Sequence, residues 1–242
     1  MNNLFKKIAI YFVLISIIIS SSSFGFADSP FLIHERKTIE NISSGVVHEH
    51  IQRFTSNGWL NVNVLRVNIQ DQYTEIGSLF SDEGISKKEK LTQMMKNSNA
   101  VAGINGDFFY WNKYFSPLGT VVNNNELISS PSFAKEPLSV FTIDNNENPF
   151  LSYWGWNIKV IPENSDPISV RVKNKATSNY TVIGLYDKNW SSETFGNLIY
   201  DDMTEVIVIN DTVTDIRVGQ EPIDMPENGY ILVGRVKLVK RY

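Results

Sequence analysis

The residues best suited to chemistry lie close together between positions 100 and 120. Asn105, Gly106 and Asp107 place an amide and a carboxylate directly after a short apolar run at residues 100–104. Aromatic side chains follow at once: Phe108, Phe109, Tyr110, Trp111, Tyr114 and Phe115. Aromatic walls around a few converging polar groups are typical of a site for a sugar or another small molecule. The alternative is a turn followed by core aromatics, and the pattern alone slightly favours that alternative.

Local sequence signals predict how these residues are positioned. Residues 100–104 predict a buried strand, and the Asn-Gly step at 105–106 favours positive φ and a tight turn. Residues 86–98 predict the most prominent helix, because Ser86 and Glu89 match a capping box and an apolar stripe follows. The predicted order is therefore helix, buried strand and polar turn.

The remainder of the chain predicts mainly strands. Hydrophobic side chains alternate between residues 46 and 69, and later short apolar runs flank turn residues at 123–125 and 210–211. Residues 28–45 are polar and predict an irregular N-terminal arm. The expected fold class is α+β, a β-rich mixed sheet with one prominent helix and an inserted β-hairpin region.

Composition limits the classes of partner and cofactor. The 242 residues are 42% hydrophobic, which suits one globular unit over residues 46–242. A formal net charge of −4 argues against nucleic acid as a partner. The sequence has no cysteine, so its stability depends on the core. No phosphate-cradling glycine loop or nucleophile elbow occurs, so no cofactor is predicted, and a need for a divalent metal stays open.

Residues 1–27 predict a secretory signal peptide. Lys6 and Lys7 precede an apolar stretch at residues 8–19, and small residues lead to a cleavage site before Asp28. Twelve apolar residues are short for a membrane span, although an uncleaved anchor is the alternative. We therefore expect a bacterial protein that is secreted or held in the cell envelope, with no stable membrane span after cleavage.

Residues 101–109, Val-Ala-Gly-Ile-Asn-Gly-Asp-Phe-Phe, resemble the first motif of the phosphodiester glycosidase family. As in that family, a Pro-x-Gly step at 117–119 and a short hairpin follow. Residues 64–69 resemble the family's first long strand, and segments between 205 and 232 resemble the insertion of its Gram-positive members. The resemblance covers about residues 45–234 and implies a phosphodiester glycosidase-like domain whose insertion-like β subdomain spans about 150–234. Bacterial members are often described as exopolysaccharide-biosynthesis proteins.

The resemblance implies hydrolysis of a sugar-1-phosphodiester to a free sugar and a phosphomonoester. It implies catalytic roles for Asp107 and Asn105. It also implies substrate binding by Gly106, Phe108, Phe109 and Gly119. Cleavage at an anomeric carbon usually requires two carboxylates, and the phosphate requires N–H or cationic donors. Two later family motifs, Asp-Gly-Arg and Leu-Asp-Gly-Gly-Gly-Ser, do not occur here, so we expect a truncated member with impaired activity.

A non-catalytic cell-surface domain that binds a glycan or a protein partner is the alternative function. Trp154 and Trp156 suggest a sugar-stacking platform, although aromatic pairs in β-rich domains more often pack together. His48 and His50 share one face of a predicted strand and could bind a metal, but a solvated face is more usual and no metal site is predicted. The sugar, the aglycone and the oligomeric state are left open.

Overall fold

The computed structural model describes residues 29–111, 113–132, 138–178 and 180–235. Within them the fold is β-rich with one short helix, which confirms the predicted fold class. The predicted signal peptide lies outside these ranges, and no described helix is long and apolar enough to cross a membrane. The elements are β1 (Leu32–Ser43), β2 (Val46–Thr55), β3 (Gly58–Val67), α1 (Leu91–Ser98), β4 (Val121–Asn123), β5 (Glu126–Ser129), β6 (Ser139–Ile143), β7 (Pro149–Tyr153), β8 (Ile158–Val160), β9 (Ile168–Val170), β10 (Val172–Lys173), β11 (Gly184–Tyr186), β12 (Met203–Ile209), β13 (Thr212–Val218) and β14 (Gly229–Arg235).

The described chain divides into two compact units. The first contains residues 29–40 and 48–64, and the second contains residues 41–47 and the described residues from 65 onwards. Strands β1, β2 and β3 form a three-stranded sheet in that order. The prediction of an irregular arm at residues 28–45 is therefore wrong over most of its length, because β1 is a regular strand of twelve residues. Its polar side chains fit a strand whose faces are largely exposed.

The second unit is built on a five-stranded mixed sheet in the order β10-β11-β14-β12-β13. Strands β10 and β11 pair in parallel, and the other neighbours pair antiparallel. The predicted hairpin turns are confirmed, since Asn124 and Asn125 join β4 to β5 with φ of 48° and 61°. Asn210 and Asp211 likewise join β12 to β13 with φ of 49° and 58°. Asparagine and aspartate tolerate this left-handed conformation, which two-residue hairpin loops require.

An aromatic cluster forms the centre of the second unit. Tyr186, Trp190 and Phe195 are fully buried, and the Trp190 and Phe195 rings are stacked with centroids 5.3 Å apart. The Tyr186 ring meets the Phe195 ring edge-on at 4.6 Å. Ile231 and Val233 of β14 belong to the same buried cluster. Two of the three aromatic residues lie in the loop after β11, so large rings outside regular strands supply much of this core.

A buried carboxylate fixes the loop that carries Phe195. Glu205 on β12 accepts the backbone N–H of Phe195 at 2.7 Å and that of Gly196 at 2.9 Å. Its other oxygen accepts the Thr194 hydroxyl at 3.1 Å, and the Arg217 guanidinium lies 3.7 Å away. These donors satisfy a charge that would otherwise be costly in the core.

Helix α1 begins later than predicted. It starts at Leu91, its N-cap is Lys90, and no side chain caps it. Ser86 is fully buried and its backbone N–H donates to the Trp190 carbonyl at 3.1 Å, while Ile85 donates to the Asn189 carbonyl. The predicted capping box is therefore wrong, because tertiary hydrogen bonds to the 189–190 segment take the backbone away from the helical path.

The predicted strand at residues 100–104 is also absent. Val101 and Ile104 are 59% and 73% exposed, so the apolar run is not part of the core. Gly103 packs against α1, where an added Cβ would lie 3.1 Å from the Met95 sulfur. The run therefore reaches the polar residues as a segment without regular secondary structure beside the helix.

We expect Glu205→Ala to lower the free energy of unfolding by about 3–5 kcal/mol, because it leaves the buried Thr194 hydroxyl and the N–H groups of Phe195 and Gly196 without their acceptor. Urea unfolding followed by tryptophan fluorescence measures this loss, since Trp190 lies in the same cluster. Asp215→Ala on β13 removes an exposed acid from Arg217, and we expect a change below about 1 kcal/mol. Equal losses in the two variants would contradict the role assigned to Glu205.

Candidate functional site

The Asp107 carboxylate is exposed but held in place by backbone groups. One oxygen accepts the N–H of Phe108 at 2.7 Å, and the other accepts the N–H of Gly119 at 2.6 Å. Residues 108–110 and 116–118 run alongside each other, with the Leu118 N–H donating to the Phe108 carbonyl at 2.8 Å. This short ladder brings the two N–H donors to the same carboxylate, so the acid is fixed before any ligand binds.

A fully buried lysine supports the segment that contacts Asp107. The Lys175 ammonium donates to the carbonyls of Pro117, Leu118 and Gly119 at 2.7, 3.2 and 2.9 Å. An ammonium has three N–H donors, and each has a backbone acceptor here. No sequence motif marks Lys175, and its contacts span 56 to 58 residues of sequence, so local patterns did not identify it.

The core fixes the position of Lys175 in turn. The buried Tyr186 hydroxyl donates to the Lys175 carbonyl at 2.9 Å, and the next N–H, of Ala176, donates to the Ser116 hydroxyl at 2.8 Å. Asn174 precedes it with φ of 46° and is fully buried. A chain of contacts therefore runs from the aromatic cluster through Lys175 to residues 117–119 and on to Asp107.

Burial also changes the ionisation of this lysine. The pKa of Lys175 falls to about 7, because burial disfavours the charged ammonium, while the nearby Asp107 carboxylate acts in the opposite direction. In its charged form, Lys175 is thus a desolvated cation that is surrounded by three backbone acceptors. The ammonium has no donor left for a ligand, which excludes Lys175 as a direct phosphate-binding group.

Aromatic side chains next to Asp107 form an exposed surface. Phe108 and Trp111 are 79% and 77% exposed. The rings of Phe109, Trp111 and Phe115 contact each other with centroids 5.6 to 6.2 Å apart. The Lys88 ammonium lies 4.9 Å from the centre of the Trp111 ring, within the range of a cation–π contact. These side chains are available to a ligand and are not core residues.

Two tyrosines of this aromatic run face the core, since Tyr114 is a core residue and the half-buried Tyr110 packs against the same cluster. Tyr114 is buried, and its ring centroid lies 5.1 Å from those of Trp190 and Phe195. The interpretation of the run as core packing therefore holds for Tyr114 and Tyr110, whereas the interpretation as a wall of a site fits the exposed rings of Phe108, Phe109 and Trp111.

Asn105 and Gly106 are exposed and precede the held carboxylate. Neither residue has positive φ and no turn is formed at residues 105–107, so the predicted tight turn is wrong. A Cβ added to Gly106 would meet no atom within 4 Å. Open space beside this backbone leaves room for a ligand to approach it. The Gly119 N–H, by contrast, is already bonded to Asp107, so Gly119 supports the site from within.

The histidine pair is not arranged as a metal site. His48 Nε2 lies 3.0 Å from the Asn63 side-chain oxygen, which is an ordinary hydrogen bond. Glu49, which lies between His48 and His50 in the sequence, is buried, and its carboxylate pairs with the Lys37 ammonium at 3.0 Å. Among the described residues, no group of three or more histidine, aspartate or glutamate side chains could hold a metal ion.

We expect Gly119→Ala to destabilise the protein by about 0.5–1.5 kcal/mol, because the new Cβ would push the exposed Asp107 carboxylate off its hydrogen bond to the Gly119 N–H. That atom would lie 2.8 Å from the nearer Asp107 oxygen. Gly106→Ala is the matched control and should keep the wild-type unfolding midpoint, since its Cβ meets nothing. Thermal unfolding of both variants checks this, and equal midpoints would contradict the packing of Asp107 on Gly119.

We expect Lys175 to make stability rise with pH between about 7 and 10.5. Over this range the unfolded chain binds more protons than the folded one, because the folded pKa is lowered. The free energy of unfolding should gain up to about 1.4 kcal/mol per pH unit from this group. In Lys175→Met that contribution is lost, so its stability should rise less steeply.

Urea unfolding at pH 7, 8 and 9 measures this difference in slope. Lys188→Met is the matched control, because Lys188 is exposed in the same region of the chain, and it should retain the wild-type slope. Parallel pH dependences in wild type and Lys175→Met would show that Lys175 does not titrate in this range.

Comparisons with known proteins find solved structures with a similar fold. No family model matches the chain, and no curated protein matches it. A hypothetical protein from Synechocystis has a similar structure, with a TM-score of 0.65 and 16% identity over 87% of this chain and 38% of that chain. A protein of Burkholderia pseudomallei K96243, described as a "putative exported protein", has a TM-score of 0.67 and 15% identity over 87% of this chain and 66% of its own. This chain thus shares the fold of part of each of these larger proteins.

Proposed function

We propose that this protein is an exported, phosphodiester glycosidase-like hydrolase that acts on sugar-1-phosphodiesters of envelope or polysaccharide glycans. The observation that carries the proposal is the exposed Asp107 carboxylate, held by the N–H groups of Phe108 and Gly119. It stands at the position that the family motif assigns to the site. A carboxylate that is held in place while open to solvent is suited to a reaction, because it needs little reorganisation when a substrate binds.

In the proposed reaction Asp107 acts as a hydrogen-bond acceptor. Each of its oxygens accepts one backbone N–H and retains a lone pair for a sugar hydroxyl or an attacking water. Its negative charge would also stabilise the oxocarbenium-like transition state at the anomeric carbon. Asn105 supplies an exposed amide two residues away, suited to a sugar hydroxyl.

The exposed aromatic side chains would bind the sugar. One face of a pyranose ring presents mainly C–H groups, and these pack well on an aromatic ring. Phe108 and Trp111 are the most exposed aromatic side chains beside Asp107. The same stretch would therefore provide both the apolar and the polar contacts of one sugar unit.

The phosphate must be bound by other groups. The Lys175 ammonium is buried and its three donors are occupied. The resemblance assigns the phosphate-binding arginine and the second carboxylate to motifs that these 242 residues lack. We therefore propose that the residues described here form one side of the site, so turnover by this chain alone would be slow.

Two observations support export. Residues 1–27 have the sequence features of a secretory signal. One protein with a similar structure carries the description "putative exported protein". The proposed place of action is accordingly the cell envelope or the medium, where glycosyl phosphates occur in surface polymers.

Glycan binding without catalysis is the second candidate function. The exposed aromatic residues beside Asp107 favour it, because such a surface can bind a sugar without the missing catalytic groups. The two functions differ in one observable property, which is whether free sugar is released.

We expect the wild-type protein to release free sugar slowly from UDP-N-acetylglucosamine or a nitrophenyl sugar phosphodiester. Asp107→Asn should lower the rate by about 10²-fold or more, because the carboxylate charge is lost while the side-chain shape remains. Sugar release measured by chromatography checks this expectation. Asp166→Asn changes another exposed acid and should retain the wild-type rate.

Full activity in Asp107→Asn would show that the catalytic assignment is wrong. Wild-type protein that releases no sugar but binds the intact phosphodiester would instead support the non-catalytic function.

A further inference from the structure

A cleft lies in a different part of the chain from Asp107. It has a volume of about 410 Å³ and is lined mainly by residues 154–158 and 169–171. We call it the tryptophan cleft, because Trp154 and Trp156 form part of its wall. Sites for small molecules usually have volumes of about 300–1,000 Å³, so the cleft is large enough for a sugar unit.

Both tryptophans are fixed by their own N–H groups. The Trp154 indole N–H donates to the Ser152 hydroxyl at 2.9 Å, and the Trp156 indole N–H donates to the Val170 carbonyl at 3.0 Å. Both side chains are half-buried, and neither belongs to the aromatic cluster of the core. These rings are therefore held in place at the surface, and little conformational entropy would be lost when a ligand packs on them.

Another part of the cleft wall is anchored to the core. Strands β8 and β9 pair with Ile158 opposite Val170, which brings residues 157–158 next to residues 169–171. Val170 is almost fully buried, and the Arg171 N–H donates to the Ile183 carbonyl at 2.8 Å. The exposed Arg171 side chain is therefore carried by a firmly held backbone at the edge of the cleft.

We infer that the tryptophan cleft binds a saccharide that carries a carboxylate or phosphate group. Indole rings provide apolar area for the C–H face of a sugar, and Asn157 and Ser169 supply partners for its hydroxyls. The Arg171 guanidinium has the planar fork that binds carboxylate or phosphate oxygens in pairs. Asp107 does not line this cleft, so the inference is independent of the proposed reaction.

Titration of ¹⁵N-labelled protein tests the inference directly. The chain has five tryptophans and therefore five indole N–H signals. Glucose 1-phosphate, glucuronic acid and glucose are added in separate titrations. We expect saturable shifts of the Trp154 and Trp156 signals with at least one of the two anionic sugars, and weaker effects with glucose. A response to glucose 1-phosphate alone assigns a phosphate ligand, and a response to glucuronic acid alone assigns a carboxylate ligand.

Two variants separate the cleft from Asp107. Arg171→Gln should weaken binding of the anionic sugar about 10-fold, a loss of about 1.4 kcal/mol, and leave the response to glucose unchanged. Arg36→Gln, an exposed arginine outside the cleft, is the control for net charge. Asp107→Asn should leave the tryptophan shifts intact even if it abolishes sugar release.

The inference would be overturned by shifts confined to Trp111, by unchanged affinity in Arg171→Gln, or by the absence of saturable shifts with all three sugars. Arg171 is exposed, so its replacement is expected to preserve the fold, and a wild-type spectrum elsewhere confirms this.

Discussion

The candidate site depends on three hydrogen bonds from one buried ammonium group. Lys175 holds the carbonyls of Pro117, Leu118 and Gly119, and the N–H of Gly119 holds Asp107. Burying a cation is expensive, and backbone acceptors offset only part of that cost. The buried ammonium fixes a segment that has no regular secondary structure. A buried, desolvated lysine beneath the exposed Asp107 carboxylate is the physical reason for regarding residues 105–119 as a site.

Local signals in the sequence predicted the β-rich fold class and the hairpins. Asparagine and aspartate at 124–125 and 210–211 carry their own conformational preference, so their turns needed no tertiary information. The start of α1 was predicted wrongly because Ser86 bonds to a segment about a hundred residues away in sequence. The buried strand at residues 100–104 was predicted from hydrophobicity alone, which does not distinguish a core strand from a segment lying beside a surface helix.

The candidate site was only partly visible in the sequence. The position of Asp107 and the aromatic character around it were readable from adjacent residues, and the resemblance supplied a chemistry for them. The role of Lys175 could not be predicted from adjacent residues, because a lysine between short strands is normally solvated. The division of the aromatic residues between the core and the surface also depended on the tertiary structure, since the sequence alone makes Tyr114 and Trp111 equally plausible core residues.

The two hydrogen bonds to Asp107 come from the main chain, and the Lys175 ammonium is also received by main-chain groups. Such an arrangement constrains the path of the backbone far more than the identity of the flanking side chains. Proteins that preserve it are therefore free to diverge at most neighbouring positions. Relatives of such a protein are more readily found by comparing backbones than by comparing residues.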